Sequence, residues 1–438
     1  MASTYLTRTT GTASLNTKMT FSTWIKRSSI SSSVVLFSFS TDGSNELYFR
    51  FMDNDTLQVY SQKSGSKIIE RKTNRVFRDV SAWYHLVLQI DTTQVTASNR
   101  IKIYVNGVQE TSFSAETNPN QNETINYVSN ATFEIGRKTT SSNLYMDGAM
   151  SHIHFIDGIA YDATAFGEYD ANGVWKIKTS PSVTYGTNGF FILKDTNSGT
   201  DQSGNSNNFT VGGGTLTKTE DCPDNVFATL NPLAGSSVRL LSFTNGNTTS
   251  TSTSASWESN PTTIGASQGK WYAEYKYVST SSGQLMPGVI DLDTYMNDAN
   301  RYGGVFNRGY AYDSNNGNKV NNDVSSSYGN SYAVGDIIGV AMDLDNHKIY
   351  FSKNGTWQNS GDPTSGSTGT GSAFNLATGY TYGFMASNKN SVHSWNFGNG
   401  YFGSTQISSA GTNASGIGIF EYDVPTGYTA LSTKGLNL

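Results

Sequence analysis

Apolar and polar residues alternate with a period of two along much of this chain, and the clearest run is Gly335 to Trp357. There Ile338, Val340, Met342 and Leu344 fall on one face of an extended segment, and Ile349 and Phe351 supply a returning strand. Asp345-Asn346-His347 reverses the chain between them, and Asn354-Gly355 is the strongest short hairpin signal a sequence offers. The first half carries a counterpart: Leu86, Leu88 and Ile90 share a face, as do Ile101, Ile103 and Val105. Short strands are also predicted at Val34 to Phe39, Glu46 to Phe51 and Thr56 to Tyr60, separated by Asp42-Gly43 and Asp53-Asn54-Asp55. Turn signals at such spacing point to β-sandwiches.

Composition narrows this further. The chain has 438 residues, with 36% apolar and 14% charged, and Ser, Thr, Asn and Gly fill most of the rest. Few charges and many turn formers favour β-rich domains with polar loops, and no helical apolar spacing competes. The fold class expected is all-β, two tandem sandwiches at 1–180 and 225–438 joined by a strand-bearing connector, 181–224. The Ser/Thr tract Thr248 to Ser256 is expected to be an edge strand rather than a linker.

A net charge of −5 makes nucleic acid an unfavoured partner, and the one basic run, Lys67 to Arg78, is diluted by Glu70 and Asp79. Membrane insertion and a cleaved signal peptide are not expected, because no apolar run approaches the required length. The single cysteine, Cys222, excludes an intrachain disulfide.

Trp83-Tyr84-His85, Tyr104-Val105-Asn106-Gly107 and Met146-Asp147-Gly148 leading into His152 to Gly158 resemble the laminin-G and pentraxin branch of the concanavalin A-like jelly rolls. Gly269 to Tyr275, Gly288-Val289, Tyr302 to Val305, the Gly335 hairpin and Ser394 to Gly398 resemble a SPRY domain in order and spacing. Phe155 to Glu168, Tyr185 to Phe190, Asp201 to Asn208 and Asp224 to Leu233 resemble structural proteins of tailed phages, above all marine ones. The resemblance implies a protein of the virion, assembled in the bacterial cytoplasm, that meets other virion proteins and forms a homo-oligomer.

Jelly rolls of this kind include glucanases, whose Glu-x-Asp-x-Glu or Glu-x-Asp-x-x-Glu run aims three carboxylates from one strand into a cleft. Glu168-Tyr169-Asp170 and Glu421-Tyr422-Asp423 lack the second glutamate, so no enzyme is expected and no catalytic residue is assigned. Gly265-Ala266-Ser267-Gln268-Gly269 matches a nucleophile elbow by pattern, but a strand follows it where a helix is needed, which makes it a turn. His152 and His154 alternate onto one strand face without a third ligand nearby, so no metal site is assigned. Asp195 and Asp201 with Asn205 and Asn207 offer oxygens suited to calcium, although the EF-hand order is absent and an Asx-rich turn is favoured; no cofactor is expected.

What remains is tyrosine, 25 residues, concentrated beside Asn, Ser and Gly. Tyrosine presents a flat apolar face and a polar tip at low entropic cost. Tyr295, Tyr302, Tyr310, Tyr312 and Tyr328 are therefore the candidate ligand-binding residues, on loops of the second sandwich. The function expected is a non-enzymatic virion appendage, in capsid or tail, that presents a surface for a host glycan or receptor. The alternatives are a virion-borne glycan depolymerase and a purely structural decoration protein.

Overall fold

The computed structural model describes residues 3–125, 129–141, 143–194, 198–234, 241–293 and 302–438. The chain is almost entirely β, and it divides into two compact units, Met1–Lys218 and Thr219–Leu438. Short 3-10 turns such as Ala97–Asn99 and Gly303–Val305 interrupt the strands. Among the described residues no helix is long and apolar enough to cross a membrane.

The first unit packs two antiparallel sheets. One runs, in spatial order, Phe113–Thr117, Ser66–Val76, Thr56–Lys63, Asn45–Phe51, Val34–Asp42, Thr132–Ile135, Tyr5–Thr9 and Thr210–Gly213. The other runs Phe190–Ile192, Gly148–Asp157, Lys18–Arg27, Trp83–Asp91, Ile101–Val105 and Val108–Gln109. Alternation sends one face of each sheet into a shared core that holds Leu86, Leu88, Ile90, Ile101, Ile103 and Val105, as the sequence pattern requires. Phenylalanines fill its centre, with Phe39 and Phe133 ring centroids 3.8 Å apart and Phe155 and Phe190 5.7 Å apart. Each such side chain contributes about 1.5–3 kcal/mol by leaving water.

The segment expected as a connector is built into this unit. Phe190–Ile192 pairs with Gly148–Asp157, and Thr210–Gly213 pairs with Tyr5–Thr9, so each sheet takes one strand from it. The reason is local: Phe190 and Ile192 are fully buried core residues, and a free linker would leave them in water.

The second unit is organised by the strand Lys270–Asp291. Its first part pairs with Ile337–Asp343 and its last part with Gly309–Tyr312, while Tyr382–Asn396 runs beside nearly all of it. Register shifts between Tyr277 and Ser279 and between Thr280 and Gln284 bend the pair. The hairpin Ile337–Asp343 with Lys348–Lys353 forms as its alternation predicts, and Ile338, Val340, Met342, Leu344, Ile349 and Phe351 all enter the core. Asn354 and Gly355, with φ of 48° and 78°, make the next turn, from Lys348–Lys353 into the short strand Thr356–Trp357, in the doubly left-handed conformation that an Asn-Gly pair adopts at least cost. The Ser/Thr tract does form a strand, Thr249–Ser252, but an interior one: Leu241–Thr244 flanks it on one side and Tyr382–Asn396 on the other. Its hydroxyls make that possible, Thr249 Oγ1 meeting Ser394 Oγ at 2.7 Å in the buried interior.

Candidate functional site

Four of the five candidate tyrosines can be placed; Tyr295 lies outside the described residues. Tyr310, Tyr312 and Tyr328 are not on a binding surface but in the core of the second unit. Gly309–Tyr312 is a strand inside the sheet, and each phenol finds an internal partner, which removes the penalty for burying it. Tyr312 donates to the Asn330 carbonyl, Tyr310 accepts from the Ala377 N–H at 3.1 Å, and Tyr328 accepts from the Phe351 N–H at 3.3 Å. Tyr312 also lies over Phe351 with centroids 5.3 Å apart. Tyr312→Ala is accordingly expected to cost ~3–5 kcal/mol of unfolding free energy by cavity formation, and Tyr312→Phe only ~1 kcal/mol, measured by urea titration. Equal small losses for both would show that the ring is not packed.

Tyr302 alone of the placed four stays partly exposed, and the structure gives it a partner that sequence reasoning missed, Trp257. Trp257 immediately precedes the strand Glu258–Pro261, which pairs with Tyr382–Asn396 so that Ser259 faces Ser387. The Ser259 and Ser387 hydroxyls meet at 2.8 Å, and Ser387 Oγ accepts the Gly303 N–H at 2.8 Å. The absence of a side chain at Gly303 leaves room for Met385, whose Cε would lie 1.8 Å from a Cβ there and would have to move. Tyr302 is thereby held beside the sheet with its ring 5.5 Å from that of Trp257. Lys389, on the neighbouring strand, places its ammonium 5.0 Å over the Trp257 ring. On the other flank the tight turn Asn322-Asp323, with φ of 50° and 60°, brings the Asp323 carboxylate to accept from the Tyr302 hydroxyl. Burial, followed by that carboxylate, pushes the Tyr302 phenol up to about 12. The result is two half-buried aromatic faces between a cation and an anion, a surface suited to stacking against a sugar ring or a flat side chain and to directing polar groups at its rim.

The first unit offers a different picture. The outward face of its six-stranded sheet is covered by the segment 159–185, where Ala163, Phe166, Trp175 and Tyr185 pack on Val87, Ile156 and Tyr104. Trp175 lies against Gly107, where a Cβ would come within 2.5 Å of its ring. Its indole N–H donates to His85 Nδ1 at 3.0 Å. An indole can only donate, so His85 carries its proton on Nε2 and gives it to Ser22 Oγ, 2.9 Å away. The two Glu-x-Asp runs fasten turns: Asp170 Oδ1 accepts from the Asn172 and Val174 N–H groups, both at 2.9 Å, and Asp423 Oδ1 accepts from Thr412 N at 2.7 Å.

His152 and His154 both approach Phe191, with ring centroids 5.7 and 4.0 Å from its own. His152 adopts φ of 48° at a register shift between Ser151 and His154, and this bulge breaks the alternation. His154 is stacked on Phe191, and its Nδ1 lies 3.0 Å from the Tyr185 hydroxyl. Asp195 lies outside the described residues. Asp201 takes the N–H groups of Phe191 and Ser203 on Oδ1, and the Ser203 hydroxyl and Asn207 N–H on Oδ2, all at 2.8 or 2.9 Å. Those donors make an Asx turn of the loop. Among the described residues no group of three or more His, Cys, Asp or Glu is placed to hold a metal.

Comparison with known families agrees with this architecture. Residues 2–160 match the family described as the concanavalin A-like lectin/glucanases superfamily, and residues 270–399 match the SPRY domain family. The chain therefore carries a laminin-G-type, concanavalin A-like domain followed by a SPRY domain. Among solved structures it is similar to the SPRY domain of human HERC1, with 16% identity and a TM-score of 0.30 over 38% of this chain and 96% of that one. A human SPRY domain matches at 17% identity and a TM-score of 0.27, covering 36% of this chain and 94% of that one. Stonustoxin matches at 14% identity and a TM-score of 0.29, covering 39% of this chain and 27% of that one. Among curated proteins nothing matches.

Proposed function

We propose that this chain is a non-enzymatic structural protein of a tailed-phage virion, in the capsid or the tail, whose SPRY domain presents a binding surface to a host glycan or receptor. The observation that carries the binding reading is the Trp257–Tyr302 pair between Lys389 and Asp323, held by the Ser259–Ser387–Gly303 hydrogen bonds. A binding surface needs such preorganised, half-exposed rings. The phage-like segments Phe155 to Glu168, Asp201 to Asn208 and Asp224 to Leu233 support the virion role. Against a depolymerase stand the covered sheet of the first domain and the use of both Glu-x-Asp runs as turn fasteners.

A stack of this kind is worth ~0.5–1.5 kcal/mol beyond its area, so one copy binds weakly and adhesion relies on several copies in an oligomer or on one particle. Trp257→Ala is expected to weaken binding of the purified protein to host cells about tenfold while leaving its melting temperature nearly unchanged. Host binding equal to that of the parent would reject this surface. Mass spectrometry of purified virions should find the polypeptide in many copies, and its absence would reject the virion role, leaving the two claims separately testable.

A further inference from the structure

The turn Gly265 to Gly269 has no role in that surface, yet it forms one wall of a cleft of about 900 Å³ within the SPRY unit. The wall is rigid. Ala266 exchanges both backbone hydrogen bonds with Tyr382, at 2.9 and 2.8 Å, and the Gly269 N–H is held by Asp345 Oδ1 at 2.7 Å. Gly269 has φ of +88°, which lets the chain turn over Trp271, whose indole N–H donates to the Gln268 carbonyl at 2.9 Å. The facing wall contains Tyr428 and Thr429, fixed by parallel pairing of Thr429–Ala430 with Trp271 and Tyr272.

Thr429 is 6% exposed, and its Oγ1 has no hydrogen-bond partner. That oxygen is closed to solvent, so it is a fixed cost of the wall, and the contacts for a ligand come from the open positions of the lining. Around it the cleft offers the hydroxyls of Ser267, Thr381 and Ser415 and the Gln268 amide. Its cationic lining residue, Lys270, is already neutralised by the fully buried Asp343 at 3.0 Å, while Asp345 adds a negative charge. Donors and acceptors are abundant, then, and nothing in the lining compensates an anion.

We propose that this cleft is a second binding site, separate from Trp257 and Tyr302, that takes an uncharged, hydroxyl-rich ligand of the size of a short neutral oligosaccharide. The volume suits two or three sugar rings, and the exposed side chains of Leu436 and Leu438 supply the apolar part of the lining.

Saturation-transfer NMR on the full chain, with maltotriose, chitotriose, mannotriose and, as the anionic counterpart, tri-galacturonate, tests the proposal. Transfer to at least one neutral trimer is expected, and none to tri-galacturonate. Ser267→Trp, at an exposed position of the wall, should abolish the transfer. Thr381→Val removes an exposed hydroxyl of the lining, so it should weaken binding severalfold while the fold stays as stable as the parent. Trp257→Ala should leave the transfer intact. No transfer from any neutral trimer, equal transfer from tri-galacturonate, indifference to Ser267→Trp and Thr381→Val, or loss in Trp257→Ala alone would each overturn it, the last by assigning the sugar to the other surface.

Discussion

On acidification from pH 7 to 4.5 the concanavalin A-like domain is expected to lose stability while the SPRY domain largely keeps it. His85 is fully buried between Trp24, Trp175 and Ser22, and burial pulls it from 6.5 down to about 3. Protonation would also set an N–H on Nδ1 against the Trp175 indole N–H, donor against donor. His154, buried under Phe191, is lowered well below 6.5 by the same desolvation and by the neighbouring His152 and His85. In both cases the unfolded chain binds the proton and the folded one does not, so their stability is fully present above pH 6.5 and is lost as the pH falls below it. Each unit of pH costs about 1.4 kcal/mol per histidine, so His85 alone removes roughly 3 kcal/mol by pH 4.5, and His154 adds to it.

The SPRY domain contains one buried histidine of this kind and one group of the opposite sign. His393, stacked on Tyr275 at 4.8 Å, is lowered by burial to about 3. Glu274 is raised to about 7 by burial, against the pull of the Glu421 and Tyr422 N–H groups, both at 2.8 Å, and of Asn396 and Tyr272. A raised carboxyl is protonated more readily in the folded state, so the folded domain gains from Glu274 as the pH falls from about 7 to 4.5. Over that window the gain offsets the loss from His393. Asp147 in the first domain and Asp313 in the second, both raised by burial, act alike and do not change the contrast. Hydrogen exchange followed by mass spectrometry, corrected for intrinsic rates, should show peptides from 83–91 and 148–157 losing protection at pH 5 while those from 270–291 keep it. Parallel loss in both sets would sink this account, and His85→Phe should move the first domain's transition to lower pH.

The parts of this architecture that were legible in the sequence are those where alternation and turn chemistry agree. The hairpins at Trp83–Asp91 with Ile101–Val105 and at Ile337–Asp343 with Lys348–Lys353 follow from apolar residues spaced by two, and the left-handed pairs Asn106-Gly107 and Asn354-Gly355 then turn the second strand of each into a short third, Val108–Gln109 and Thr356–Trp357. Ser66–Val76 was hidden because its outward positions carry charge: Lys67, Glu70 and Lys72 look like a solvated run until Ile69 is seen to be fully buried. The tyrosines were misjudged because composition does not say where a phenol finds its partner. Tyr332 shows the general case, sharing its one O–H between the carbonyls of Leu285 at 3.0 Å and Tyr312 at 2.8 Å, so that a residue following Asn330 and Ser331 becomes core. Trp257 carried a signal, a lone indole closing a Ser/Thr tract just before a strand, but its pairing with Tyr302 depends on two serines far apart in the chain.

Replacing Asp55 by alanine is expected to be the most damaging single change in the first domain, costing ~3–5 kcal/mol. Asp55 is fully buried at a turn residue with φ of 66°. Its Oδ1 accepts from Arg27 Nη2 at 3.0 Å and from the Ser31 N–H at 2.7 Å, and its Oδ2 accepts from Arg78 Nε at 3.0 Å. Arg27 is itself 1% exposed, lies 4.6 Å over the Phe51 ring and donates a further bond to the Phe77 carbonyl. Alanine would leave this guanidinium buried without its counter-charge and the Ser31 N–H without an acceptor, and it would still have to adopt a left-handed backbone. Asp55→Asn separates the terms, since asparagine tolerates that backbone and keeps one acceptor oxygen but loses the charge; it should cost less than alanine. Adding Arg27→Met to Asp55→Ala should recover part of the loss, because a buried apolar pair avoids the desolvated charge. Urea unfolding of the four proteins gives the coupling directly. A double variant as unstable as the sum of the two single ones would mean that Arg27 and Asp55 act independently, and the buried ion pair would then not be what holds this turn against the sheet.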